Sequence, residues 1–280
     1  MKLAISNIAW PANQLENALA IMQRFGARGL EIAPGLAFYR DDNPFVPDDQ
    51  SIREFSLLLS KYGVRPVSMQ SLLFGVDGAL LFGKEDEKNR FKTSLMAAIQ
   101  LAERVEIPNL VMGSPRNRII PSALDEATAI ANAVDVFYGL GEYAKRAGVK
   151  IALEPNPKEY GTNFLNTMLQ TINFAEQVDH QAVTVNFDIG ALHMTGEIDD
   201  AAQLFHKAAK RISHIHISAP NLEPAPKNAE QFSSVAANIA EQEYKHWFSI
   251  EMRAVEGEEL VQVEKSLKDC SEILTRLDRT

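Results

Sequence analysis

The sequence predicts an α/β fold, a single (β/α)8 barrel domain over residues 1–280. Three observations predict it. Short β-rich runs alternate with longer segments of helical period, the pattern of a parallel sheet with crossover helices. The strand–helix units number eight, which closes such a sheet with no free edge. No Gly-x-Gly-x-x-Gly turn follows the first strand and no Gly-x-x-x-x-Gly-Lys-Ser/Thr loop occurs, so the usual marks of an open doubly wound sheet are missing.

The elements follow in order. Residues 2–8 read as the first strand and 15–25 as the first helix, ended by Gly26. Residues 29–32 form strand two. A helix near 50–62 stops at Gly63, and 65–71 extends again as strand three. Apolar residues recur every three or four positions over 87–105, and 109–112 is strand four. The helix 124–146 ends before Gly148, and strand five runs over 149–154. Asn166 is the expected cap of a helix reaching residue 178, followed by strand six at 182–188. Residues 201–210 are helical, 212–218 form strand seven, 228–241 are helical, 247–252 form strand eight, and 257–277 is the closing helix.

Composition bounds the function. Of the residues, 46% are hydrophobic and 23% charged, the balance of a soluble globular protein. The net charge of −9 leaves no basic excess to displace counterions, which argues against nucleic acid as a partner. Cys270 is the sole cysteine, so no internal disulfide forms and a reducing, cytoplasmic setting is expected. No apolar run reaches the length of a membrane span.

Barrel chemistry sits at the C-terminal ends of the strands. Strand two ends in Glu31, strand five in Glu154, strand six in Asp188 and strand eight in Glu251. Strand seven carries His214 and His216, which share a face because strand side chains alternate. A carboxylate embedded in Ile151-Ala152-Leu153-Glu154-Pro155 is costly to bury unless it meets a cation. Several carboxylates converging on one axis repel one another, and a divalent ion with an imidazole ligand turns that repulsion into a site. Taken singly, a strand-end glutamate is as readily a salt-bridge partner, and a lone histidine a satisfied core residue. Together they form a constellation.

At these residues the chain resembles the xylose isomerase-like TIM barrel superfamily. The group it is most similar to is the sugar phosphate isomerase/epimerase family, with D-tagatose 3-epimerase and hydroxypyruvate isomerase among its members. The resemblance covers essentially the whole chain. It is carried by Gly29-Leu30-Glu31-Ile32, Leu153-Glu154-Pro155-Asn156-Pro157, Asn163-Phe164-Leu165-Asn166-Thr167, Asn186-Phe187-Asp188-Ile189-Gly190, His214-Ile215-His216 and Ser249-Ile250-Glu251-Met252. It implies that Glu154, Asp188, His216 and Glu251 hold one divalent ion, with Mn²⁺ first among Mn²⁺, Mg²⁺, Co²⁺ and Zn²⁺. His214 supports His216 from one layer deeper. With Trp10, Glu31, Gln70, Arg116, Arg118 and His193 it makes up the expected substrate side of the site. Ala191 departs from the family, since many relatives carry a histidine there and His193 is the nearest one. Ser218-Ala219-Pro220-Asn221 stands where relatives often carry Lys-Asp.

The implied activity is that of a metal-dependent sugar isomerase or epimerase, with Glu154 and Glu251 moving protons through an enediolate stabilised by the metal. Arg116 and Arg118 on the strand-four loop offer fork donors to a phosphate or carboxylate, so an anionic sugar or sugar derivative is the expected partner. Barrels of this group often form homo-oligomers. Two alternatives remain: a dehydratase of the same family (inosose or dehydroshikimate dehydratase-like) and a non-catalytic sugar-binding barrel. The endonuclease IV branch is set aside because it needs histidines from strands three and four, and all six histidines here lie at or beyond His180.

Overall fold

A computed structural model describes residues 1–278. Eight strands close a barrel in sequence order: β1 (Lys2–Ser6), β2 (Gly29–Ile32), β3 (Arg65–Met69), β4 (Asn109–Met112), β5 (Lys150–Leu153), β6 (Val183–Asp188), β7 (Ile212–Ser218) and β8 (Trp247–Glu251). Every neighbouring pair is parallel, including β1 with β8. Each strand is followed by a helix that covers its outer face. The eight are Leu15–Arg24, Asp49–Lys61, Glu85–Arg104, Glu126–Arg146, Met168–Val178, Ala201–Ala208, Ala229–Glu241 and Glu259–Leu277. Their apolar stripes pack on the strands in one continuous core that includes Phe91, Phe137, Phe187 and Phe248, all nearly inaccessible to water. No helix among the described residues is long and apolar enough to cross a membrane.

Two local features differ from the sequence reading. Asn166 does not cap the helix Met168–Val178; Thr167 does, its side chain accepting from the Gln170 amide at 3.1 Å. The Asn166 amide instead donates to the carbonyls of Asn156 (2.8 Å) and Thr162 (3.0 Å), tying down the loop after β5. An additional short helix, Ile189–Thr195, begins directly at the end of β6. Asp188 is its N-cap, so this helix fixes the carboxylate that the site uses.

The registers set depth in the barrel. β2 shifts between Leu30 and Glu31, and Glu31 lies level with Ser6 of β1 and Ser68 of β3. β6 and β7 pair Asp188 with His216, and β8 sets Glu251 beside Ser218. The interior is therefore layered. A polar cluster of Asn109, Ser213 and Thr184 lies toward the N-terminal end and reaches up through Asn109 to Ser68, joined by hydrogen bonds of 2.7–3.0 Å. Above it comes the layer of Glu31, Asn186 and His214, and then the mouth.

Candidate metal centre

At the mouth Glu154, Asp188, His216 and Glu251 converge, and one ligand atom from each lies within 4.8 Å of all the others. All four side chains are buried: His216 is inaccessible and the three carboxylates are between 7% and 8% exposed. His216 Nδ1 is 2.9 Å from Glu154 Oε1, 3.2 Å from Glu251 Oε2 and 3.8 Å from Asp188 Oδ2. It has no aligned hydrogen bond to any of them.

The residues beneath explain this orientation. Glu31 is completely buried and holds both histidines, His216 Nε2 at 2.9 Å and His214 Nε2 at 2.5 Å. Donation from Nε2 to Glu31 leaves the His216 Nδ1 lone pair directed at the carboxylate oxygens, the tautomer a metal requires. A bare lone pair facing three carboxylates is repulsive, so the donor set fits a divalent cation.

Each carboxylate is aimed by its neighbours. Glu154 accepts from Asn186 Nδ2 on Oε1 (2.8 Å) and from Asn156 Nδ2 on Oε2 (3.3 Å). Asp188 Oδ1 accepts from the Ala191 amide at 2.8 Å and from the Ser218 hydroxyl at 2.5 Å, which leaves Oδ2 for ligation. A Cβ at Gly113 would lie 2.5 Å from Glu154 Oε2, so a side chain there would push this carboxylate off its present position.

Charge follows geometry. Burial acts to raise the Glu31 pKa, but the two histidines outweigh it and hold the carboxyl well below the usual range. Burial likewise works against the His216 cation, and Glu251 and Glu31 reverse it, so His216 titrates well above an ordinary histidine. The Glu251 carboxyl is pushed up to about 7, chiefly by burial, with Glu154 and Asp188 adding repulsion against the pull of His216. In the metal-free centre, protons stand where a cation would.

A pH dependence follows. Both Glu251 and His216 have folded pKa values raised above their unfolded ones. Their stabilising contribution is complete below the unfolded values and is lost as pH rises through the folded ones. His214, lowered mainly by burial, opposes this only below its ordinary range. Metal-free protein is therefore expected to melt at a lower temperature at about pH 8.5 than at about pH 6.5, and a saturating divalent ion to shrink that difference. Scanning calorimetry at both pH values, with and without the ion, checks it.

Two lobes of a cleft meet over these residues. One, of about 420 Å³, lies beside β5–β7 and is lined by Asn156, Tyr160, Asp188, Ala191 and Ser218; the other, of about 670 Å³, lies beside β3 and β4. Glu154, Glu251, Arg116 and Leu222 line both. Arg116 is exposed at the junction and forms no ion pair or hydrogen bond among the described residues. Gln70 is 5% exposed and lines the β3 lobe; its buried side-chain oxygen has no hydrogen-bond partner among the described residues.

The remaining expected substrate residues lie elsewhere. Trp10 is 2% exposed and packs in the core, with no face to either lobe. Glu31 and His214 sit beneath the metal layer and meet each other rather than the cleft. Arg118 is fully buried, its Nη2 donating to the Glu154 carbonyl at 2.7 Å. Burial lowers its pKa to about 10, with the pull of Glu154 opposing. The cause is the 3₁₀ turn Pro115–Arg118, entered through a left-handed Ser114, which sends Arg116 outward and Arg118 inward. His193 is partly buried on the helix Ile189–Thr195 and lines neither lobe. Its pKa is lowered by burial and by Lys227.

The sequence reading gave no role to Asn156, Asn186, Ser218 or Tyr160. Asn186 was findable, since it lies two residues before Asp188 on the same face of β6. Tyr160 lines the smaller lobe, and its hydroxyl oxygen accepts from the Asn221 amide at 3.2 Å, leaving the proton free to donate. Burial, then Asp188, pushes its pKa up to about 12, so it stays a neutral donor.

Residues 19–274 match the family described as the xylose isomerase-like TIM barrel. The chain belongs to that family. Among solved structures, this xylose isomerase-like barrel is similar in fold to apo 3-keto-D-glucoside 4-epimerase YcjR from E. coli, with 16% identity, TM-score 0.75 and 100% of both chains covered. It is also similar to D-psicose 3-epimerase from Clostridium cellulolyticum H10 crystallised with D-tagatose (15% identity, TM-score 0.73, 99% of this chain and 98% of that one). A third similar structure is the IOLI protein with a zinc atom bound (17% identity, TM-score 0.70, 99% and 98%). At these identities the likeness concerns the fold. No curated protein matches the chain in sequence.

Proposed function

We propose that this xylose isomerase-like barrel is a metal-dependent sugar isomerase or epimerase. Glu154, Asp188, His216 and Glu251 would hold one divalent ion, with Mn²⁺ our first choice. The observation that carries the reading is the pair Glu154 and Glu251. Both are ligand-competent, and both line the two lobes at their junction. Sugar epimerases among the similar folds support it.

When bound, the ion acidifies the C–H next to a sugar carbonyl by drawing charge onto the oxygen. The rest falls to side chains. One glutamate takes the proton from the carbon, and the other returns a proton to the opposite face of that carbon or to its neighbour. The first outcome is epimerisation, the second aldose–ketose isomerisation. No electrons are gained or lost in either. Tyr160 donates a hydrogen bond to a substrate oxygen, in the lobe where Ala191 leaves no side-chain donor. Arg116 pairs with an anionic group on the substrate; Arg118, buried behind Glu154, does not reach it.

Incubating the Mn²⁺-loaded protein with a panel of ketoses and sugar phosphates in D₂O tests the reading. Deuterium entering an isomeric sugar, detected by NMR, supports it. Loss of a hydroxyl indicates a dehydratase, and binding without exchange indicates a sugar-binding barrel. Arg116→Ala is expected to raise KM for a phosphorylated substrate about tenfold or more while sparing the uncharged analogue. Steady-state kinetics on both sugars checks this.

A further inference from the structure

The larger lobe has properties that the centre alone does not use. It runs outward from Glu154 and Glu251 between the loops that follow β3 and β4, and its 670 Å³ lies in the range that accepts a drug-sized ligand. One sugar ring does not fill it. Asp188 lines only the smaller lobe, whereas Glu154 and Glu251 line both, so a sugar held between these two glutamates would leave the larger lobe open to a group extending from it.

The walls of this lobe are built rather than loose. Arg90 Nη1 donates to the Asp77 carbonyl at 3.0 Å, the Leu81 amide to Asn117 O at 2.8 Å, and Asn117 Nδ2 to Ala79 O at 2.7 Å. These bonds pin the β3 loop over residues 77–81 to its neighbours; Phe74, earlier on the same loop, lines the lobe with 82% of its surface in water. It is the most exposed of the protein's large apolar side chains. Gln70 also lines this lobe, and its buried side-chain oxygen finds no donor among the described residues. An unpaired buried acceptor beside an uncovered aromatic face matches a ring with an apolar C–H face and a rim of hydroxyls.

We propose that the β3 lobe is a subsite for a second ring: a glycosyl group attached to the far end of the sugar held at the metal centre. Phe74 stacks on that ring and the Gln70 side-chain amide hydrogen-bonds one of its hydroxyls. The substrate class is then a glycosylated ketose or aldose rather than a free monosaccharide. This rests on the proposed function for the sugar at the centre, but the subsite has its own readout in binding.

The test compares D-fructose with isomaltulose, which is fructose bearing a glucosyl group on its 6-oxygen, on the full Mn²⁺-loaded chain by calorimetry and by solvent deuterium exchange. Isomaltulose is expected to bind about tenfold more tightly. Phe74→Ala should remove most of that preference, and Phe74→Tyr should retain it. Because Phe74 is exposed, neither change should disturb folding. Equal affinities, a preference that survives Phe74→Ala, or no measurable binding of either sugar overturns the subsite. So does a Phe74→Ala variant whose main effect is a change in oligomeric mass, since the ring would then face a second copy. A Phe74-dependent preference without deuterium exchange keeps the subsite and removes the isomerase reading. Exchange without preference does the reverse.

Discussion

Glu251→Gln is expected to lower kcat for α-proton exchange by about a hundred- to ten-thousand-fold at saturating Mn²⁺. The amide preserves shape and an oxygen able to ligate, while removing the group that takes up or releases a proton. Glu251 sits at the rim of the barrel, 8% exposed, and its loss also relieves repulsion with Glu154 and Asp188. The metal-free variant should therefore melt no lower than the parent. Rate and melting temperature together separate chemistry from folding: a variant that exchanges protons at the parental rate would remove Glu251 from the mechanism.

The second large effect is expected one layer deeper. Glu31→Gln should weaken metal binding by about ten- to a hundredfold, although Glu31 is not among the four converging ligands. Glu31 accepts from His214 and His216 with its two oxygens. Glutamine offers one oxygen and one NH₂, so one histidine must shift its proton to Nδ1 or lose its partner. If His216 shifts, the lone pair facing Glu154 and Glu251 is gone. If either partner is lost, a buried donor goes unpaired, at about 1–3 kcal/mol of stability. Metal titration and thermal melting of this variant report both consequences.

Much of this centre was legible in the sequence, for reasons the structure makes explicit. Alternation along β7 puts His214 and His216 on one face, and the embedded Glu154 and Asp188 ask for a cation in any fold that converges strand ends. What was not legible was depth. Glu31 also ends a β-run, yet it is completely buried and bonds the Nε2 atoms of His214 and His216, beneath the ligand atoms. Residue types cannot report such depth, because it depends on how eight strands tilt together. The two arginines after β4 show the same limit at a smaller scale. They are two positions apart on one loop, and a 3₁₀ turn sends one to the cleft and the other behind Glu154. Tyr160 becomes visible only once the loop after β5 folds back over the mouth and reaches Asn221. Trp10, expected on the substrate side, is held in the core by packing instead.

The claim on which all of this depends is that the four converging side chains bind an ion. Chelator-stripped protein titrated with Mn²⁺, Co²⁺, Zn²⁺ and Mg²⁺ by calorimetry, with melting temperature followed in parallel, measures it most directly. One ion per chain is expected, with stabilisation of about 3 kcal/mol when the free ion is about a hundredfold above its Kd, and loss of both signals in Asp188→Asn. Absence of binding by all four ions, with a melting temperature unmoved by any of them, would contradict the account.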